Sequence, residues 1–182
     1  MEETILRIRV FGDSVLRKKS RDVARVTSTH KETLSQMAQL MYARSGIGLA
    51  APQVGIGQSM IVVDIGTGLY KVINPRIVKR VGHQAREEGC LSVPGVCIKI
   101  RRAKKIVVEG LDENAACVKL VAEDLLACVF QHEIDHLKGK LIVDYASFLD
   151  KLKVKKRLTE LKRNAAHEEL CESKSKSCKL QL

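Results

Sequence analysis

At 182 residues the chain is the size of one compact domain, long enough to bury about two-thirds of its unfolded surface. Hydrophobic residues at 45% exclude a disordered chain, and no apolar run approaches the ~20 residues that span a bilayer. The net charge of +11 is uneven, with ten Lys and Arg against four Glu from Lys151 onward. A basic end of that kind suits a polyanionic partner, although a solvated helix face reads the same way. With 3% aromatics and no Trp, the core must be built from Ile, Val, Leu and Ala. The stretch from Met1 to Val10 alternates charge with Ile and Leu and lacks the apolar run of a secretory leader. The six scattered cysteines then read as free thiols or a metal ligand rather than disulfides, and a cytoplasmic setting is expected.

In chain order, residues 13–20 predict a short helical turn and residues 31–45 a helix. Thr29 and Glu32 are spaced as its capping box, Leu34, Met37 and Met41 mark its apolar face, and Gly46 ends it. Short strands follow at 59–64, 70–74 (stopped by Pro75), 77–81, 97–102, 105–110 and 117–120, punctuated by Gly, Asn, Asp and Pro. Short connections without intervening helices favour antiparallel or mixed pairing. A second helix at 123–138, closed by Gly139, is apolar on every side over 125–130 and should be central and buried. A third, at 148–166, begins with Ser147 and Asp150 in capping-box positions, and residues 167–182 form a polar tail expected to be flexible. The expected architecture is a single α+β domain, with antiparallel or mixed sheets around a buried helix and residues 1–166 as its folded unit.

The buried helix contains His132-Glu133-Ile134-Asp135-His136. Two His at i and i+4 share a helix face and can aim both imidazoles at one ion, while Glu133 can reach a metal-bound water without being a ligand. Two surface histidines would give the same letters, but an apolar helix makes unpaired His and Glu expensive. A catalytic metal needs a third protein ligand and an open position. His167, Glu168 or Glu169 would fit a metalloprotease pattern, though they lie in a polar tail. Cys90, in Glu88-Gly89-Cys90-Leu91-Ser92, is the other candidate; a lone Cys is more often a packing residue. The stretch GIGLAAPQ at 46–53 is not a phosphate loop, because no Lys-Ser/Thr follows and no strand precedes it. Its small residues suit close approach of a substrate backbone, leaving Gln53 as the polar donor.

Together the three segments resemble the peptide deformylase family, whose motifs GΦGΦAAxQ, EGCΦS and HEΦDH (Φ apolar) appear here in order as GIGLAAPQ, EGCLS and HEIDH. The resemblance covers about residues 5–161. It implies Cys90, His132 and His136 as metal ligands, Glu133 as general acid/base, and Gly48, Gln53 and Leu91 around the reacting carbonyl. It also implies Fe²⁺ as the natural ion, with Zn²⁺, Ni²⁺ or Co²⁺ able to substitute, and the formyl-methionyl end of a nascent chain as substrate. Formyl hydrolysis on such a site has Glu133 take a proton from water, with the Leu91 N–H and Gln53 amide holding the oxyanion, a donor of that kind being worth ~3–4 kcal/mol. Gly48 and Gly89 would exclude bulk larger than formyl, Gly46 would be among the substrate-binding residues, and Ile47, Val129 and the face of His132 would line the methionine pocket. The basic third helix suggests ribosomal RNA as a partner; neither DNA nor a membrane is expected. Ser45, where an acidic residue or Asn is frequent, Cys97, where some members have Arg, and Glu123-Asp124, in place of a frequent Gly, depart from the pattern. Two rival readings are a metalloendopeptidase and a non-catalytic, metal-stabilised ribosome-binding module. Cys97, Cys117 and Cys128 are expected in packing roles, with His30 and His83 at the surface.

Overall fold

A computed structural model describes the backbone of residues 6–178 and the side chains of residues 6–166. Helix α1 (Ser28–Ala43) leads into strands β1 (Gly48–Ala50), β2 (Met60–Val63) and β3 (Tyr70–Val81). A hairpin of β4 (Gln84–Gly89) and β5 (Cys97–Arg102) follows, then β6 (Lys105–Leu111), β7 (Cys117–Glu123) and helices α2 (Asp124–Leu137) and α3 (Phe148–Cys178). The strands form a five-stranded antiparallel sheet in the order β1-β2-β3-β6-β7 and a separate two-stranded sheet, β4-β5. The α+β architecture expected from the sequence is therefore present, with α2 packed against β1, β2, β5, β6 and β7.

Period-2 alternation splits the sheet residues between two cores. Ala50, Ile61 and Val63 face α2, where they join Ala127, Phe130, Ile134 and Leu137. Leu49, Met60 and Val62 face α1 and meet Leu34, Met37, Ala38 and Met41. A third cluster packs Ile98 and Ile100 of β5 against Leu16, Leu141, Ile142 and Leu161. This cluster seats α3 on the domain, and Leu161 and Ala165 are buried in that seat.

Several boundaries differ from the sequence expectation for identifiable reasons. The N-cap of α1 is Thr27, whose N–H donates to His30 Nδ1 at 3.1 Å, rather than the Thr29–Glu32 pair. His30 is thus part of a cap and not simply a surface residue. At the other end Ser45 N–H bonds to the Tyr42 carbonyl (2.9 Å) and Gly46 N–H to that of Met41 (2.9 Å), a Schellman closure. Its left-handed residue is Ser45 (φ +52°), so Gly46 sits one place past the terminating position assigned to it. Pro75 does not stop its strand: β3 runs through it by a register shift between Ile73 and Arg76, with Asn74 at φ +52° absorbing the bulge. The short strands β1 and β4 were not expected; β1 is only three residues, and β4, QAREEG, has almost no apolar content. Helix α3 continues past residue 166 to Cys178 because no Gly or Pro interrupts it; the remaining tail expected at 179–182 lies outside the described residues.

Gly139 does close α2 as expected, at φ +71°, with its N–H on the His136 carbonyl (3.0 Å) and that of Lys140 on Asp135 (2.9 Å). At the opposite end, Asp124 holds φ +48°, the left-handed region in which a Cβ is unfavourable. Asp124→Gly should therefore stabilise the protein by up to about 1 kcal/mol, read as a higher urea midpoint with an unchanged m value. A lowered midpoint would show that the turn is not strained.

Candidate metal centre

The β4–β5 hairpin and α2 converge on one point. Gly89 ends β4, and Cys90 opens the connection to β5, where its carbonyl accepts from Val93 N–H (3.0 Å) and the next anchor, the Ser92 carbonyl, accepts from Phe11 N–H (2.7 Å). From α2, His132 and His136 project one turn apart with ring centroids 4.9 Å apart. Their Nε2 atoms face each other at 3.2 Å, Cys90 Sγ is 3.2 Å from His136 Nε2, and the three ligand atoms all lie within 4.8 Å of one another. Three lone-pair donors at such spacing repel unless a cation sits between them. Burial works against charge on both rings; on His132 the bonds to Cys90 and Glu88 outweigh it and raise the pKa well above the usual value. On His136 the positive His132 adds to burial and drives the pKa well below it. The two rings are thus driven in opposite directions where they face each other, and a cysteine sulphur with two imidazoles is a donor set that suits a divalent transition metal.

The orientation of His132 is set behind the site. Its Nδ1 meets Glu88 Oε2 at 2.9 Å, fixing the ring so that Nε2 points inward. Arg102 clamps Glu88 with two bonds, Nε to Oε1 (2.7 Å) and Nη2 to Oε2 (2.9 Å), and donates through Nη1 to Asp135. Tyr145 completes the chain, its hydroxyl donating to Asp135 Oδ2 at 2.7 Å and its ring lying 4.9 Å from the guanidinium. Burial alone would raise the Glu88 carboxyl, but Arg102 and His132 outweigh it and hold the pKa below the usual value, so Glu88 stays ionised. Burial and the bond to Asp135 push Tyr145 up to about 12, keeping it a donor. Sequence reasoning gave no role to Glu88, Arg102, Asp135 or Tyr145. Two of them were within quoted motifs, Glu88 two residues before Cys90 and Asp135 beside His136.

Glu133 lies in front of the ligands and is 3% exposed, with Oε2 lacking a hydrogen-bond partner. Burial pushes its carboxyl up to about 7. Gly48 of β1 lies directly against it: a Cβ there would collide with the Glu133 carboxylate and stand 2.8 Å from Val129 Cγ1. Gln53 is buried, its Oε1 fixed by Ala50 N–H (2.8 Å) so that Nε2 turns to Ser92 Oγ (3.2 Å) and Cys90 Sγ (3.6 Å). A cleft of about 400 Å³ opens over these groups. Its wall includes Gly46, Ile47, Gly48, Gln53, Gly89, Cys90, Leu91, Val129, His132 and Glu133, which is every site residue named from the sequence except His136, buried behind the others. The wall also takes in Leu125 and Cys128, which the sequence reading did not place there. Leu125 is 38% exposed despite the all-round apolar pattern, since it opens onto the cleft. Cys128 is buried, but Cys97 and Cys117 are exposed at the first positions of β5 and β7, not packed as expected. The alternative ligands His167, Glu168 and Glu169 have side chains outside the described residues.

A cysteine sulphur and two imidazoles gathered beside a buried carboxylate, under a narrow cleft, define a metal-dependent hydrolase. Comparison with known proteins gives the specific family. The family model for polypeptide deformylase matches residues 5–152. Peptide deformylases from Syntrophomonas wolfei (47% identical, covering 79% of this chain and 94% of that protein) and Caldanaerobacter subterraneus (48%, covering 79% and 91%) are close relatives. Crystal structures of the peptide deformylases of Thermotoga maritima (TM-score 0.77, 44% identity, 80% of this chain and 99% of that one) and Thermus thermophilus (0.84, 36%, 88% and 99%) share the fold. The chain belongs to the peptide deformylase family, metal-dependent hydrolases that remove the formyl group from the N-terminus of nascent polypeptides.

Two measurements probe this geometry. Glu88→Gln should weaken metal binding about 10- to 100-fold, measured by competition with a chromogenic chelator, because His132 loses its charged partner. Unchanged affinity would remove Glu88 from the orienting role. The second concerns Glu133, whose folded pKa lies above the ordinary carboxylate value of ~4.3. The folded state then prefers the protonated form, so this group's penalty is absent below the unfolded value and grows as pH rises toward about 7. In chelator-treated protein, Glu133→Gln should be more stable than the parent above pH 7 by about 1–3 kcal/mol, with the two converging near pH 4. A difference independent of pH would contradict it.

Proposed function

We propose that Cys90, His132 and His136 hold one divalent ion, Fe²⁺ in the cell with Zn²⁺, Ni²⁺ or Co²⁺ as substitutes, and that Glu133 is the general base and acid of deformylation. The observation that carries this is the convergence of three ligand atoms within 4.8 Å, one from a loop and two from α2. Held by these three residues, the ion would supply Lewis acidity toward the formyl oxygen and lower the pKa of water. Glu133 accepts the water's proton and later returns it to the leaving amine, and its raised pKa suits both transfers near neutral pH. Gln53, locked by Ala50 N–H, directs its amide toward the reacting carbonyl, and the Leu91 N–H is the second donor. Gly48 admits a formyl hydrogen where a larger acyl group would meet Glu133 and Val129. Gly46 and Gly89 keep the cleft narrow, while Ile47, Val129 and the ring of His132 receive the methionine side chain.

Formate release from formyl-Met-Ala-Ser by anaerobically prepared protein is the test. Activity in the parent and its loss in Glu133→Ala and Cys90→Ala is the expected result. A folded, Fe²⁺-, Ni²⁺- or Co²⁺-loaded protein that releases no formate would defeat the proposal and revive the endopeptidase and binding-module readings.

The enzyme is assigned to the cytoplasm, with residues 1–166 as catalytic domain and ribosomal RNA as the partner of α3. Lys151, Lys153, Lys155 and Lys156 are exposed on its first turns, a cationic segment suited to phosphates. Deleting α3 is a poor test, because Leu161 and Ala165 belong to the core. Instead, Lys151→Glu/Lys155→Glu/Lys156→Glu should abolish co-sedimentation with ribosomes at low salt while leaving formate release from the free tripeptide intact. Undiminished co-sedimentation would remove α3 from ribosome docking.

A further inference from the structure

Behind the metal helix lies a second cavity, of about 530 Å³, that shares no lining residue with the catalytic cleft. Its walls carry Arg80 from β3, Arg101 and Arg102 from β5, and Lys138 and Lys140 from the end of α2. Arg102 is spent on Glu88 and Asp135. The other four have no ion-pair partner among the described residues, and the one carboxylate in the wall, Asp135, already accepts from Arg102 and Tyr145. Lys138 and Lys140 have a local reason to be there, since the C-terminus of a helix favours cations. Arg80 and Arg101 stand on strands and have none. Four uncompensated cations around one concavity repel one another, and the potential they create is relieved by a multivalent anion. The volume falls in the ~300–1,000 Å³ range of small-molecule sites, and guanidinium groups favour phosphate oxygens through paired N–H donors. Ile77 and Tyr145 add apolar surface to the same wall, suited to a ring or sugar beside the phosphates.

We propose that this cavity binds a small anion with two or more phosphate groups, of the nucleoside polyphosphate class, through Arg80, Arg101, Lys138 and Lys140. The site is independent of the deformylation reading. Isothermal titration of the metal-loaded protein with tripolyphosphate, in excess Mg²⁺ so that the probe does not draw the ion from the metal centre, should show saturable 1:1 binding. Arg80→Ala/Arg101→Ala should weaken it at least tenfold while leaving formate release from formyl-Met-Ala-Ser unchanged, which also shows that the variant is folded. Lys138→Ala/Lys140→Ala provides a second, independent weakening. The absence of saturable binding, or equal binding by parent and both variants, overturns the site. Binding of a single-stranded oligouridylate through the same arginines without binding of tripolyphosphate also overturns it, since the cavity would then be reading an RNA backbone.

Discussion

Arg102 ties together the two pieces of chain that make the metal centre. It sits at the end of β5, bonds Glu88 on the paired strand β4 and reaches Asp135 on α2. The strand that ends at the Cys90 loop and the helix that carries both histidines are thereby held in one register. Such a buried ion network adds little net stability, because desolvating the charges costs about as much as their attraction returns. Its contribution is geometric: with Glu88 fixed, His132 has one ring orientation, and its Nε2 meets that of His136 and the Cys90 sulphur nearby. Removing a single partner is another matter, since it strands a buried charge at a cost of ~3–5 kcal/mol.

The opposite wall of the site is set by crowding rather than charge. Glu133 Oε2 has no hydrogen-bond partner among the described residues, and the carboxylate is kept in place by close packing, with β1 pressed against it at Gly48. The same closeness recurs at Gly46, where a Cβ would lie 3.0 Å from Leu91 Cδ1. Two residues in left-handed conformations lead into these elements, Ser45 just before β1 and Asp124 at the start of α2. Both take a conformation that Gly or Asn adopts at lower cost. This chain accepts modest strain at both entrances and keeps the arrangement they lead to.

How legible each part was in the sequence follows from the range of the interaction that fixes it. The HEIDH pair was readable because helical periodicity alone puts i and i+4 on one face. The chain reversals were partly readable: Gly139 announced the end of α2, but the end of α1 was misplaced by one residue because a Ser there adopts the left-handed conformation expected of Gly. Strand β4 was invisible, since its residues Gln84, Arg86, Glu87 and Glu88 carry no apolar alternation and its existence depends on pairing with β5. The Arg102 network was unreadable for the same reason. Its members are up to 57 positions apart, from Glu88 to Tyr145, and no local pattern relates them. Cys90 stands between these cases: a weak signal in isolation, it gained meaning from two other motifs and a place in space from a hairpin the sequence did not show.

Helix α2 explains why one short segment can serve so many functions. Ala127, Phe130, Ile134 and Leu137 face the sheet and anchor the helix in the core. Val129, His132 and Glu133 face the cleft, with His136 behind them at the metal position. Gln131, Asp135 and Lys138 face the basic cavity on the other side. Each set recurs at three- and four-residue intervals, so no position on the second half of the helix is left to face bulk solvent by default. That is why the segment reads as apolar all round and then abruptly as His, Glu and Asp: a helix enclosed on every side can carry polar groups only where each has a partner or a reaction to serve. Glu133 Oε2 and His136 Nδ1 are the side-chain atoms of α2 that remain buried without a partner, and both belong to the metal centre. On this helix, the buried polar side-chain atoms left unsatisfied are thus the ones at the site of the chemistry.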